Sequence, residues 1–292
     1  MNTYYKIIEK TKIWFAISGI IIILGIFSIA TKGLDFGIDF KGGTITQIAL
    51  KQNFEKADVD AMIKKYTNDF TSSKVDNTSI EIKSAKLTVD NTKTLVTDLK
   101  TKYKDAALSS QEDIGASIGA ETRNKAFQAM LIACIAILIY ITLRFEINFA
   151  LAAIVSLVHD VLFMLAFYSI FQIQVDSSFI AAALTVIGYS VHDTIVVFDR
   201  IRENQKYIRS ADPVLLADAS VTQTLARSIN TVLSVLITLT AVYYFVPSIR
   251  NFSLPLIVGV VSGCYSSIFI ASPFWVLFKK HSKKLKLSTL KK

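Results

Sequence analysis

Residues 13–30 read IWFAISGIIIILGIFSIA, eighteen in a row without an ionisable side chain. A helix rises about 1.5 Å per residue, so about 20 such residues cross the hydrocarbon of a bilayer. A surface helix of a soluble protein shows one polar face, whereas this run is apolar all round. Lys6, Lys10 and Lys12 precede it, which are the flanks of a signal peptide. Its apolar length exceeds a usual h-region, however, and Ser28-Ile29-Ala30 is a weak cleavage pattern, so the run reads as an uncleaved first helix. Five more apolar runs follow, at residues 127–143, 149–171, 179–198, 229–246 and 253–278. The pattern predicts an α-helical membrane protein with six spans.

Composition agrees. Of the 292 residues 52% are apolar and 19% charged, against about 45–50% and about 25% for a soluble globular domain. The excess lies almost wholly in the six runs, which excludes a soluble enzyme, a disordered chain and a fibrous repeat. Both cysteines, Cys134 and Cys264, sit inside apolar runs and fit neither a disulfide framework nor a CxxC metal site. The net charge is +9, yet residues 31–125 hold 15 Lys/Arg against 14 Asp/Glu. The positive excess therefore belongs to tails and short loops beside the membrane, which speaks for orientation and against nucleic-acid binding.

Counting Lys and Arg beside the spans gives sixteen on the side of the N-terminus and one, Arg250, on the other. The bias predicts that residues 1–12 and the basic tail 279–292 are cytoplasmic and that 31–125 are translocated. Within 31–125, residues 44–50 alternate as a strand, 54–66 have helical spacing, and 78–89 alternate again. Residues 91–103 are helical once more, and a short strand falls within 113–118. These elements predict an extracytoplasmic α+β domain, ferredoxin-like in type, between helices one and two. Residues 126–278 hold the other five helices, with a cytoplasmic connector at 199–228 that includes an amphipathic segment, 213–226.

Ionisable groups inside a span cost about 2.5–3.5 kcal/mol on insertion scales, so each needs a reason. The third run carries His159-Asp160 near its middle, and the fourth carries His192-Asp193. The fifth opens with Arg227 and continues Thr231, Ser234 and Thr238 on one stripe. Ala181, Thr185 and Gly188 stack on the His192 face as a small-residue stripe suited to close helix approach. These residues predict a polar seam between helices three, four and five. The seam either carries protons on its carboxylates, tuned by the approach of Arg227, or only bonds the helices together.

Enzyme readings fail on spacing. Gly188-Tyr189-Ser190-Val191-His192 lacks the last glycine of a nucleophile elbow, and no HExxH or GxxxxGK[ST] occurs. The GxxxG at Gly259 and Gly263 is a helix-packing pattern of low specificity.

The string Leu34-Asp35-Phe36-Gly37-Ile38-Asp39-Phe40-Lys41-Gly42-Gly43-Thr44 resembles the signature of the SecD/SecF protein-export family. A second string runs Gly188-Tyr189-Ser190-Val191-His192-Asp193 and on through Asp199-Arg200-Ile201-Arg202-Glu203-Asn204, and is similar to that family's fourth-helix motif. The Val158-His159-Asp160 step and Leu225-Ala226-Arg227-Ser228 also look like family positions. Two positions depart from the pattern: His192 stands where the family usually has Asn, and Ala116 where it has Pro. The resemblance spans nearly the whole chain. It implies a bacterial inner-membrane subunit that works with SecD beside the SecY/SecE/SecG translocon and uses proton or sodium motive force to help export preproteins, with no other cofactor. It further implies that Asp193 and Arg227 sit in the ion pathway, with Asp160 and His192 as neighbours. Membrane lipids surround such a subunit. A related lipid or small-molecule exporter and a non-transporting scaffold are the alternatives. The lack of a second copy of either string predicts that the chain is half of a larger machine.

Overall fold

The computed structural model describes residues 4–208 and 212–289, so Arg209 of the connector and residues 290–292 of the basic tail lie outside the described residues. Among those described, six helices are long and apolar enough to cross a membrane. They are α1 (Thr11–Lys32), α5 (Ala116–Arg144), α6 (Ile147–Phe171), α7 (Ser177–Tyr207), α8 (Pro213–Phe245), and a sixth built in three pieces. That sixth joins α9 (Arg250–Ser266), a π-helical stretch Ser267–Ala271, and α10 (Ser272–Thr289). The chain is a multi-pass membrane protein.

Burial divides the bundle. More than half of the apolar stretch is buried in α6, α7 and the sixth span (56%, 56% and 67%), but only 17%, 6% and 11% in α1, α5 and α8. Small residues bring the central helices together. A Cβ on Gly259 would fall 2.3 Å from Cγ2 of Val186, and one on Gly25 would fall 2.1 Å from Cβ of Ala166. The first contact presses α9 onto α7 and the second presses α1 onto α6.

Several helices run further than the hydropathy suggests, α7 and α8 among them. The expected connector segment 213–226 is not a separate element, because α8 is continuous from Pro213 to Phe245. Asp212 caps its first turn by accepting the Val214 amide at 3.1 Å, and Pro213 supplies a first-turn φ without needing a donor. No glycine or proline interrupts residues 214–245. Likewise α7 continues to Tyr207, where Arg200–Glu203 (2.6 Å) and Arg202–Asp199 (2.8 Å) pair at helical spacing. Asn204 on this extension donates to Ser220 on α8 at 2.8 Å.

Both ends of the described chain lie at one end of the bundle. The Ile7 and Ile8 amides donate to Asp218 Oδ1 on α8 at 3.0 and 2.9 Å, and Lys279 pairs with Glu146 at 2.7 Å. The opposite end carries the α+β domain, which starts with the short α2 (Ile38–Lys41). It continues with β1 (Gly43–Ala49), α3 (Lys56–Ile63), β2 (Thr71–Lys74), β3 (Ser79–Ser84), α4 (Val89–Lys102) and β4 (Ala107–Ile114). Ile48, Ile80 and Ile82 from the sheet meet Val59, Ile63, Leu95 and Leu99 from α3 and α4, all at 0% exposure. The strand order is β2-β3-β1-β4 with every pair antiparallel. In chain order the domain runs β1-α3-β2-β3-α4-β4, with β3 between β1 and β2 and antiparallel to both, which is the arrangement of a split β-α-β unit. Two strands differ from the reading above. Edge strand β2 is Thr-Ser-Ser-Lys, with no apolar alternation to reveal it. The last strand lies at 107–114, ahead of the expected 113–118, because Gly115 ends it and Ala116 begins α5.

Candidate functional site

The third and fourth spans place their carboxylates in different surroundings. Asp160, in the middle of α6, is 0% exposed and has three hydroxyl donors and a histidine ring around it. Ser190 of α7 donates to Oδ2 at 2.6 Å, Ser266 of α9 donates to the same oxygen at 2.8 Å, and Ser262 donates to Oδ1 at 2.6 Å. His159 Nδ1 lies 3.2 Å from Oδ1, and its Nε2 lies 3.0 Å from the Ser18 hydroxyl of α1. Ser18 in turn donates to Tyr265 at 3.2 Å, and Tyr265 donates to the Trp14 carbonyl at 2.8 Å. The carboxylate thus ties α6 to α7 and α9 directly, and to α1 through its histidine neighbour.

Asp193 is one turn beyond Ser190 on α7 and about 24 Å from the helix start at 1.5 Å per residue. It is 7% exposed. Its Oδ1 accepts the Ser228 hydroxyl of α8 at 2.7 Å, while its buried Oδ2 has no hydrogen-bond partner. No ion pair joins it to a cation within 4 Å among the described residues; His192 and Arg227 reach it only through space. Beside it Thr194 shares a hydrogen bond of 2.8 Å with Ser267, the first residue of the π-helical stretch. A π segment inside an α-helix frequently marks a functional site.

The seam therefore differs in membership from the one expected. Asp160 draws its donors from helices four and six, and the fifth helix contributes only Ser228, to Asp193. The stripe of Arg227, Thr231, Ser234 and Thr238 faces outward: all four are exposed. The three hydroxyls fold back onto carbonyls four residues earlier, at 2.9, 2.8 and 3.1 Å. On α7 the matching stripe of Ala181, Thr185, Gly188 and His192 is also exposed, and a Cβ on Gly188 would meet nothing within 4 Å. Two small and polar stripes thus lie side by side on the outside of α7 and α8. Ser262 and Ser266 were not anticipated; their signal was an i, i+4 pair of hydroxyls interleaved with the GxxxG glycines.

The remaining motif residues serve other contacts. Tyr189 is half-buried, and Arg200 bonds Gln223 of α8 at 2.6 Å as well as Glu203. Near the α+β domain Asp35 pairs with Lys41 at 3.0 Å, and the Phe36 ring lies 5.9 Å from the Arg123 guanidinium.

Two family models match this chain. "Protein export membrane protein SecD/SecF, C-terminal" covers residues 94–281, and "SecD/SecF GG Motif" covers residues 27–53. The chain belongs to the SecD/SecF protein-export family. It is 36% identical over 286 residues to the protein translocase subunit SecF of Sebaldella termitidis, covering 95% of this chain and 93% of that one. It is also 36% identical to the protein translocase subunit SecDF of Bacillus subtilis, where 93% of this chain aligns with 38% of the relative. Among solved structures, SecDF from Thermus thermophilus, a translocon-associated membrane protein, superposes with a TM-score of 0.80 at 30% identity, covering 96% of this chain and 39% of that one. SecDF in its super-membrane-facing form gives 0.77 at 29% identity, covering 99% and 40%. The chain spans about two fifths of each solved SecDF protein and nearly the full length of the SecF relatives.

Proposed function

We propose that the chain is the SecF-type subunit of a protein translocase and that, paired with SecD, it uses an ion gradient to assist export of preproteins through the SecY/SecE/SecG channel. The observation that carries the ion reading is Asp193. A buried carboxylate with one oxygen unpartnered is costly as a charge, and taking up a proton or a small cation such as sodium removes that cost. Arg227 and His192 are both exposed, and a movement of α8 against α7 changes the distance of Arg227 from Asp193. Asp160 is the neighbouring carboxylate of the same pathway, and its donors, Ser190 one turn before Asp193 among them, are already in place.

The outward stripes on α7 and α8 support the pairing. Small residues suit a close helix–helix interface. Fusion of the two halves in the SecDF relative agrees with this reading. The sixteen-to-one Lys/Arg bias supports termini that face the cytoplasm and an α+β domain that faces outward.

The test is Asp193→Asn in vesicles containing the full translocase. The amide keeps the shape and loses the charge, so the complex should assemble while ion-driven stimulation of export disappears. Normal export by Asp193→Asn across a range of proton and sodium gradients would show that the group only bonds helices.

A further inference from the structure

The α+β domain is joined covalently to α1 and α5, neither of which carries a seam carboxylate. Of these α5 hardly packs, with 6% of its apolar stretch buried. The domain's link to α6 and α7, the helices of Asp160 and Asp193, is made instead by residues 35–43. Here the Val175 amide donates to the Asp35 carbonyl at 2.7 Å and the Gly37 amide donates to the Val175 carbonyl at 2.9 Å, a two-bond parallel bridge to the loop between α6 and α7. Asp39 Oδ2 accepts the Ser177 amide at 3.0 Å, at the first residue of α7, where a helix presents unpaired N–H groups and a partial positive charge. Phe40 is 3% exposed and belongs to an apolar cluster with Met164 and Tyr168 of α6 and Phe179 and Ala183 of α7.

The other face of the same nine residues is fastened without slack to the start of α5 and to the domain. A Cβ on Gly42 would fall 2.9 Å from Ala116 Cα, and one on Gly43 would fall 2.7 Å from the Ser84 carbonyl at the end of β3. Both glycines have positive φ, +83° and +150°, so a side chain would be excluded twice over, by strain and by space. A second tie runs from Thr71 of β2, whose hydroxyl donates to Gln174 Oε1 at 2.9 Å.

We infer that residues 35–43 are the mechanical coupler of the machine. Asp39 and Phe40 act as positioning residues that fix the domain to the outer ends of α6 and α7, so that a displacement of those helices moves the domain. The inference rests on the ion reading of Asp193 above, and its test separates the two.

The experiment uses the full chain with its SecD partner in proteoliposomes, on a background with Cys134→Ser and Cys264→Ser. Spin labels on Asn77→Cys in the domain and Ser177→Cys at the start of α7 report the joint directly. The parent should give one narrow distance distribution, and Phe40→Ala and Asp39→Asn should broaden it. In the same vesicles Phe40→Ala should retain Asp193-dependent ion flux within about twofold of the parent while export stimulation falls at least fivefold. A Phe36→Cys, Val175→Cys pair, oxidised across the bridge, should restore both the narrow distribution and export to Phe40→Ala, and reduction should reverse the rescue. Bridge partners lie within reach of a disulfide. An unchanged distribution in Phe40→Ala, or normal export, overturns the coupler. Loss of ion flux together with export also overturns it, since Phe40 would then act on the ion site. Absence of Asp193-dependent flux in the parent overturns the ion reading alone, and the distance distributions still decide the joint.

Discussion

Removing the Asp160 side chain should unfold the bundle more readily than removing that of Asp193, although both are buried carboxylates. Asp160 accepts three hydroxyls from other helices, at 2.6, 2.6 and 2.8 Å. Asp193 accepts one, at 2.7 Å. Hydrogen bonds between helices in membranes average about 0.6 kcal/mol and reach about 1.7 kcal/mol. Asp160→Ala should therefore cost about 2–5 kcal/mol, and Asp193→Ala about 0.6–1.7 kcal/mol, by the same scale. Some relief is built in, since Ser266 already shares its hydroxyl with the Gly263 carbonyl at 3.2 Å, which places Asp160→Ala toward the lower end. The measurement is reversible unfolding in mixed micelles of mild and denaturing detergent. Tryptophan fluorescence is a native reporter: Trp275 is 0% exposed and stacks on Phe149 at 5.2 Å, and Trp14 contacts Phe269 at 4.2 Å. A double-mutant cycle between Asp160→Ala and Ser262→Ala should return a coupling of about 0.6–1.7 kcal/mol. Equal losses for the two aspartates, or no coupling in the cycle, would refute the distinction between a carboxylate whose donors are complete and one held half-satisfied.

Further outcomes follow from the same contacts. With Cys134→Ser and Cys264→Ser, an impermeant maleimide should label Asn77→Cys on intact cells and Ser288→Cys only after the cells are opened; labelling of Ser288→Cys from outside would reverse the orientation. Gly259→Leu should lower stability by about 1–3 kcal/mol by overpacking, because its Cβ meets Val186 at 2.3 Å and Met164 sulfur at 3.0 Å; unaltered micelle unfolding would refute the close approach of α9 and α7. In the turn before β3, the Thr78 amide donates to Asp76 at 2.7 Å and the Thr78 hydroxyl at 2.9 Å, bonds that hold the Asp76 carboxyl below its usual range. A depressed folded value means stability that is full above the unfolded carboxylate value, about 3.9, and is lost as pH falls through the folded one. Thermal unfolding of the solubilised chain between pH 6 and pH 2 should show that acid loss reduced in Asp76→Asn, and identical acid slopes would refute it.

The spans were legible because lipid demands an unbroken apolar run, which no folding context can hide. The polar residues were legible as exceptions to that rule, but their partners were not. Ser262 and Ser266 share one face as an i, i+4 pair of hydroxyls beside the GxxxG glycines, but that spacing does not name Asp160 as the group they meet. The stripe on α8 was visible at its helical spacing, yet spacing fixes which residues share a face and not what that face meets. Thr231, Ser234 and Thr238 accordingly face outward rather than into the seam. Strand β2 escaped because an edge strand of Thr, Ser, Ser and Lys needs no apolar alternation to pair with β3. The length of α8 escaped because hydropathy marks where lipid ends, whereas the helix ends where its capping Asp212 and Pro213 stand.

The attachment of the N-terminal segment to Asp218 sets an order on biosynthesis. The amides of Ile7 and Ile8 are separated from their acceptor by 211 and 210 residues. At about 5–20 residues per second of synthesis, the first helix waits about 10–40 s for the residue that pins its leading end. Until then α1 is held laterally only through α6, where Gly25 meets Ala166 and Ser28 donates to the Ser169 carbonyl at 3.0 Å. A nascent chain halted before Pro213 therefore carries a first helix held by α6 at Ser18, Gly25 and Ser28 but not yet pinned at its leading end. Closure of the bundle is an event of the last third of translation.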